Sequence, residues 1–92
     1  MKNKAKAAFI VLNDKGLHTR PSTELVKCAA NFNADVQLSY RDYMVNAKSI
    51  LGILILAAEK GAKVSIEAQG DDAEKAVKAI VKLAKNRFNI QY

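Results

Sequence analysis

His18 is the only histidine of the chain. It stands in Gly16-Leu17-His18-Thr19-Arg20-Pro21-Ser22, two residues before an arginine that proline directly follows. A neutral imidazole is a nucleophile, and a guanidinium is a fixed cation whose forked donors match phosphate. Pro21 fits the first turn of a helix, where its missing N–H removes no helical bond. His18 is therefore expected just before or at a helix start. The N–H groups of the first turn and the positive end of the helix dipole lie there, an environment that stabilises an anion. Residues of these types at this spacing suit a histidine that takes up a phosphoryl group while Arg20 and the amides receive its charge. The same residues also fit a plain structural or exposed histidine. A metal site has little to draw on, with no second histidine and one cysteine. Ser22 and Ser49 could in principle serve a Ser-His-Asp arrangement, but no spacing aligns either with His18 and an orienting carboxylate. Spacing alone leaves the phosphate and structural readings open.

Elements that would position His18 can be read from periodicity. Alternation over Ala5 to Leu12 predicts a strand with much of both faces apolar, ended by the turn formers Asn13, Asp14 and Gly16. Leu25, Cys28, Ala29 and Phe32 recur at helical spacing and predict a helix over about Thr19 to Phe32. Val36, Leu38 and Tyr40 predict a half-buried strand. A turn at Arg41-Asp42, without the usual glycine, leads into a short return strand through Val45. Ser49 as N-cap, Lys60 near the end and Gly61 as stop make Lys48 to Gly61 a helix despite its strand-like Ile and Leu content. Val64, Ile66 and Ala68 mark a further strand. Asp71 or Asp72 is expected to cap a last helix that buries Ala73, Ala76, Val77, Ile80, Leu83 and Ala84. The order predicts an α+β fold, with helices on one face of a mostly antiparallel sheet.

Composition narrows the function classes. Ninety-two residues are expected to form one domain, 1–92, without repeat or linker. The longest apolar run, Ile50 to Ala58, is about half the roughly 20 residues of a membrane span, so no membrane insertion is expected. The N-terminus lacks the cleavage site of a signal peptide. Cys28, the lone cysteine, cannot close an internal disulfide, which fits a cytoplasmic protein; it reads as a small buried hydrophobe. Fifteen Lys and Arg against nine Asp and Glu give a net charge of +6, favouring acidic partners. An RNA-binding module would rest on that charge alone, because no aromatic residues interleave with the basic ones; no nucleic-acid partner is expected.

The His18 segment followed by "NAKSILGILILAAEKG" closely resembles the HPr family, the histidine-containing phosphocarriers of the bacterial phosphoenolpyruvate-dependent phosphotransferase system. The likeness runs from the first strand to the last helix and rests on two motifs in order, H-x-R-P at His18 and K-S-I-x-G at Ser49. It implies an open-faced β-sandwich of order βαββαβα, with a four-stranded antiparallel sheet (1-4-2-3) and three helices on one face. It implies a stoichiometric carrier, not an enzyme, without cofactor or metal, and a monomer. His18 matches the histidine that Enzyme I phosphorylates on Nδ1 with phosphoenolpyruvate as donor, and Arg20 the arginine that contacts the phosphate. The acceptor would be the A component of a sugar permease. Ser49 matches the serine phosphorylated by the HPr kinase/phosphorylase, although its residue type equally makes it a helix N-cap. Ile50, Leu51 and Leu54 match an exposed docking patch, with Thr19, Thr23 and Lys27 as its rim.

Three features depart from the commoner family pattern: the glycine-free "YRDY" turn, the basic balance and the aliphatic residues where some relatives have methionine. "NFNADVQL" is also similar to the nitrogen-related branch, whose relay regulates instead of feeding a permease. A protein read mainly through Ser49 is the other alternative to a sugar-transport carrier.

Overall fold

A computed structural model describes residues 3–91; Met1, Lys2 and Tyr92, within the expected 1–92 span, lie outside the described residues. The elements are β1 (Lys4–Ile10), α1 (Thr19–Ala30), β2 (Asp35–Tyr40), β3 (Tyr43–Asn46), α2 (Ile50–Leu56), β4 (Lys63–Gln69) and α3 (Ala73–Lys85), followed by a short turn at Arg87–Asn89. The strands form one antiparallel sheet in the order β1-β4-β2-β3, with the three helices on one side. This is the open-faced architecture that the resemblance implies.

Strand alternation selects the two faces. Ala7, Ile66, Leu38 and Val45 pair across all four strands on the helix-covered face. The next row, Ala8, Ser65, Ser39 and Met44, lies on the open face. Phe9, Val36, Leu38, Val64 and Ile66 from the sheet meet Leu25, Ile53, Val77 and Ile80 from the helices in one buried core. The first strand behaves as its mixed pattern predicts: Phe9 and Val11 are buried, while Ile10 and Leu12 are exposed. The β2–β3 hairpin closes through Arg41-Asp42 with Arg41 at φ 55° and its guanidinium 5.1 Å from the Tyr40 ring centre.

Four expectations change on contact with the fold. The second helix ends at Leu56, not near Gly61, because Ala57 adopts a left-handed conformation (φ 51°) and its N–H donates to Leu54 C=O. That early exit turns the Ala58 carbonyl toward Leu17 N–H, which donates to it at 2.9 Å. Leu83 is only half-buried, at the margin of the α3 stripe, and Cys28 is half-buried too. Burial pushes the Cys28 thiol up, which keeps it protonated and unreactive. Phe88, for which periodicity gave no expectation, is wholly buried and meets Phe9 edge-on at 5.7 Å.

The fourth change concerns Asp72. It occupies the N-cap position of α3, but its carboxylate does not cap that helix. Instead it accepts from the amides of Asn33 and Ala34, each at 2.8 Å. Gly70 sits against Ala34 at φ 149°, where a Cβ would collide with the Ala34 backbone. The β4–α3 corner is thus clamped to the α1–β2 loop. The amide of Asn33, seconded by that of Ala34, holds the Asp72 carboxyl below the usual carboxylate range. Its folded pKa is depressed, so its contribution is present above the unfolded value of about 3.9 and is lost as pH falls through the folded value. Asp72→Asn should lower the melting temperature at pH 7. The difference from wild type should shrink as pH drops below about 4. Thermal melts of both proteins across that range check this.

Candidate functional site

His18 is the residue immediately before α1, in an extended conformation (φ −77°, ψ −170°). The first helical bond runs from Ser22 N–H to His18 C=O at 3.0 Å. Thr19 and Arg20 supply the amides that precede it, and Pro21 has none to supply. The imidazole makes no capping hydrogen bond to this turn. No acidic side chain occupies the first turn, so nothing there opposes an incoming anion. The ring is half-buried, with Nε2 wholly buried, and Arg20 is exposed.

Why the chain presents His18 so firmly follows from its neighbours. Gly16 adopts φ 71° and passes so close to Ala58 that any Cβ would strike the Ala58 carbonyl oxygen. Gly16 N–H donates to Asn13 C=O at 2.9 Å. The fully buried Ser22 donates from Oγ to Leu17 C=O at 3.0 Å, tying the loop back to the helix it precedes. Asn13, also fully buried, donates from Nδ2 to Arg87 C=O at 3.0 Å. Lys60 and Asp14 form an exposed ion pair at 3.2 Å. The His18 loop is therefore fastened to the exit of α2, to α1 and to the C-terminal turn. Asn13 and Ser22 were missed as supports because their partners are carbonyls that only the fold brings near.

The other candidates fall on two packed helices. Ser49 is the N-cap of α2, its Oγ accepting from Gly52 N–H at 3.1 Å. Asn46 Oδ1 accepts from Lys48 N–H at 2.8 Å, and Lys48 Nζ donates to Phe32 C=O at 2.8 Å, so the approach to this cap is itself held. Ile50, Leu51 and Leu54 are 39%, 69% and 36% exposed, while Ile53 and Leu56 are buried on the opposite side. Ile55, at 54%, belongs to the same exposed set; its i, i+4 spacing from Leu51 was the available signal. α2 packs on α1, and its C-terminal exit bonds the His18 loop. The His18 loop thus meets the chain just beyond the end of α2, and Ser49 stands at the start of that helix, which is roughly 10 Å long. Thr19 is exposed; Thr23 donates to Thr19 C=O at 2.8 Å; Lys27 pairs with Glu24 at 3.5 Å, two turns from His18. Among the described residues no three His, Cys, Asp or Glu side chains come together as a metal site, and no helix is long and apolar enough to cross a membrane.

The family model for the HPr component phosphorylation site of the phosphotransferase system matches residues 5–86. The chain belongs to the HPr family. HPr proteins are phosphocarriers, and that general role in the phosphotransferase system applies here. HPr-C-His from Thermoanaerobacter tengcongensis is similar at 35% identity, with 96% of this chain and 99% of that one covered and a TM-score of 0.90. HPr from Bacillus anthracis is also 35% identical, covering 86% and 94%, with a TM-score of 0.81. Crh, the Bacillus subtilis catabolite repression protein, is 35% identical over 82% of this chain and 86% of its own, with a TM-score of 0.73; its crystals contain a swapped dimer.

Proposed function

We propose that His18 accepts the phosphoryl group of phospho-Enzyme I at Nδ1 and passes it to the A component of a sugar permease. The observation that carries this reading is the placement of the sole imidazole at the start of α1, with Nε2 buried and Arg20 two residues on. With Nε2 enclosed, Nδ1 is the nitrogen that a donor can approach. Its lone pair forms the N–P bond while the bond from phosphorus to the donor atom breaks, and the donor keeps that electron pair. The new phosphate brings negative charge to the N-terminal turn. The Thr19 and Arg20 amides, the helix dipole and the Arg20 guanidinium are the groups placed to receive it. The chemistry asks for alignment and charge stabilisation more than for acid–base groups. The phosphoramidate leaves as readily as it forms, so the same geometry serves the return transfer.

In this reading Ile50, Leu51 and Leu54, continued by Ile55, form the apolar centre of a transient interface, rimmed by Thr19, Thr23 and Lys27. Lys27 and Arg20 steer acidic surfaces toward His18. The protein acts as a cytoplasmic monomer. Its acceptor, a permease component or a nitrogen-related regulator, is the point at which the two branches of the family would differ. A second reading adds to this one. The Ser49 hydroxyl, at the edge of the same apolar patch, is the target of the HPr kinase/phosphorylase and regulates docking.

Incubation with phosphoenolpyruvate and catalytic Enzyme I tests the carrier role. One acid-labile, base-stable phosphate per chain is expected; an unphosphorylated protein contradicts it. In the same assay Arg20→Ala should slow transfer by about 10- to 100-fold without stopping it, because one charge-assisted contact is lost while the amides and dipole remain. A wild-type rate would leave Arg20 as no more than a surface charge.

A further inference from the structure

β1 forms one edge of the sheet, and among the described residues no strand pairs with its outer side. Val11 N–H donates to Ala62 C=O and Gly70 N–H to Asn3 C=O, so the odd-numbered residues of β1 bond toward β4. Antiparallel alternation then points the N–H and C=O groups of Lys4, Lys6, Ala8 and Ile10 outward along the edge. Beside that edge α3 forms the other wall of a groove. Five lysines line it, Lys4, Lys6, Lys78, Lys82 and Lys85, against one acid, Glu74, over a floor that includes Val77 and Val81. Past Val81 and Lys85 it continues into a more apolar stretch lined by Phe9 and Leu12. Much of the chain's net +6 is therefore concentrated on a surface built from β1 and α3, not from the α1 and α2 residues around His18.

We propose that this groove is a docking site for an extended acidic segment of a partner protein, which pairs with β1 as a fifth strand and sets its carboxylates against the lysines. Two features select that occupant. The charge calls for an anion. The outward ladder offers carbonyl acceptors as well as N–H donors, and only another peptide backbone uses both. A phosphodiester chain would take the lysines but leave the carbonyls unanswered, and the groove offers no aromatic platform for bases. Val77 and Val81 offer an apolar floor to small side chains between the acids. Lysine on an edge strand also discourages pairing between copies of this chain while leaving an acidic strand welcome.

The probe is a fluorescent ten-residue peptide alternating Glu and Val, followed by anisotropy and by amide shifts in 1H–15N spectra. Saturable binding should shift Lys4–Ile10 and Lys78–Lys85 and leave α1 and α2 unmoved. The same peptide with every amide N-methylated keeps its charge but can pair as a strand by neither edge; it should bind at least tenfold more weakly. Lys78→Glu combined with Lys82→Glu should cost at least tenfold. Ala8→Pro, which removes one outward N–H and spares the ladder to β4, should cost at least fivefold. Melting curves accompany both variants, and the N-methylated peptide decides the matter on wild type should either fail to fold. The proposal is overturned if nothing binds at millimolar peptide, if the shifts fall on α1 and α2, or if the N-methylated peptide binds equally well. It is also overturned if single-stranded DNA of equal charge binds as tightly and without sensitivity to Ala8→Pro. No phosphoryl transfer enters these readouts, so their outcome is independent of the role proposed for His18.

Discussion

His18→Ala should take up no phosphate from phosphoenolpyruvate and Enzyme I while keeping its fold. The imidazole is half-buried and makes no capping bond to α1, so its removal opens little of the core. The backbone supports of the loop all survive the substitution: Leu17 N–H to Ala58 C=O, Ser22 N–H to His18 C=O and Ser22 Oγ to Leu17 C=O. Stability should fall by about 1 kcal/mol, the usual size for a single substitution, which leaves the domain folded. Transfer, in contrast, loses its only acceptor atom. Neither Ser22, buried and committed to Leu17, nor Thr23, bonded to Thr19, offers an alternative nucleophile on that turn. Phosphate incorporation measured beside thermal melts separates the two effects. Unchanged incorporation in a folded variant would remove His18 from the relay.

Ser49→Asp should weaken docking to Enzyme I by about 10- to 100-fold, a loss of about 1.4–2.7 kcal/mol, with a near-normal melting temperature. Aspartate is as good an N-cap as serine, so Gly52 N–H keeps an acceptor and α2 keeps its start. The new charge lies beside Ile50 and Leu51, at the edge of the exposed apolar face. Drawing a carboxylate into an interface costs several kcal/mol unless a cation meets it. An acidic opposing surface, of the kind Lys27 and Arg20 would attract, offers no such cation, and a site half-exposed before docking incurs only part of that cost. Ser49 caps the start of α2 whereas the His18 loop bonds beyond its exit, which implies action through docking, not through the reacting phosphate. The expected result is a raised KM for the carrier with little change in kcat. Ser49→Ala is the counterpart: it should lose about 1 kcal/mol of stability with the cap while docking normally. Titrating Enzyme I against the three proteins, with melts in parallel, distinguishes a cap from a switch. Equal affinities would leave Ser49 a cap alone.

Local chemistry wrote the parts of the fold that could be read in advance. Pro21 and the Leu25, Cys28, Ala29 spacing place α1, and with it His18, because a first-turn proline and a helical period act over a few residues. Val36, Leu38, Val64 and Ile66 identify their strands for the same reason. Ser49 was legible as a cap because its partner, Gly52 N–H, is three residues away. What escaped depends on contacts between distant segments. α2 stops at Leu56 because Ala57 turns the chain so that Ala58 meets Leu17, some forty residues earlier in sequence. Asp72 reads as a cap from its neighbours and is taken instead by Asn33 and Ala34, which only the packed corner supplies. Phe88 follows the last helical period and enters the core through a turn with positive φ from Arg87 to Asn89, a conformation no local pattern announces. The apolar patch was assigned by resemblance, since an all-aliphatic helix does not reveal which side it buries. Packing on α1 and β3 decides that Ile53 and Leu56 face inward and Leu51 and Ile55 outward.

The central claim is that one ring nitrogen of one residue carries the phosphate. The most direct measurement is a 1H–15N long-range correlation spectrum of the imidazole, recorded before and after phosphorylation by Enzyme I on uniformly 15N-labelled protein. With a single histidine in the chain, the assignment is unambiguous. The buried Nε2 predicts that the large nitrogen shift and the 31P coupling appear at Nδ1 of His18. A phosphate found on Nε2, on any other residue or nowhere would contradict it.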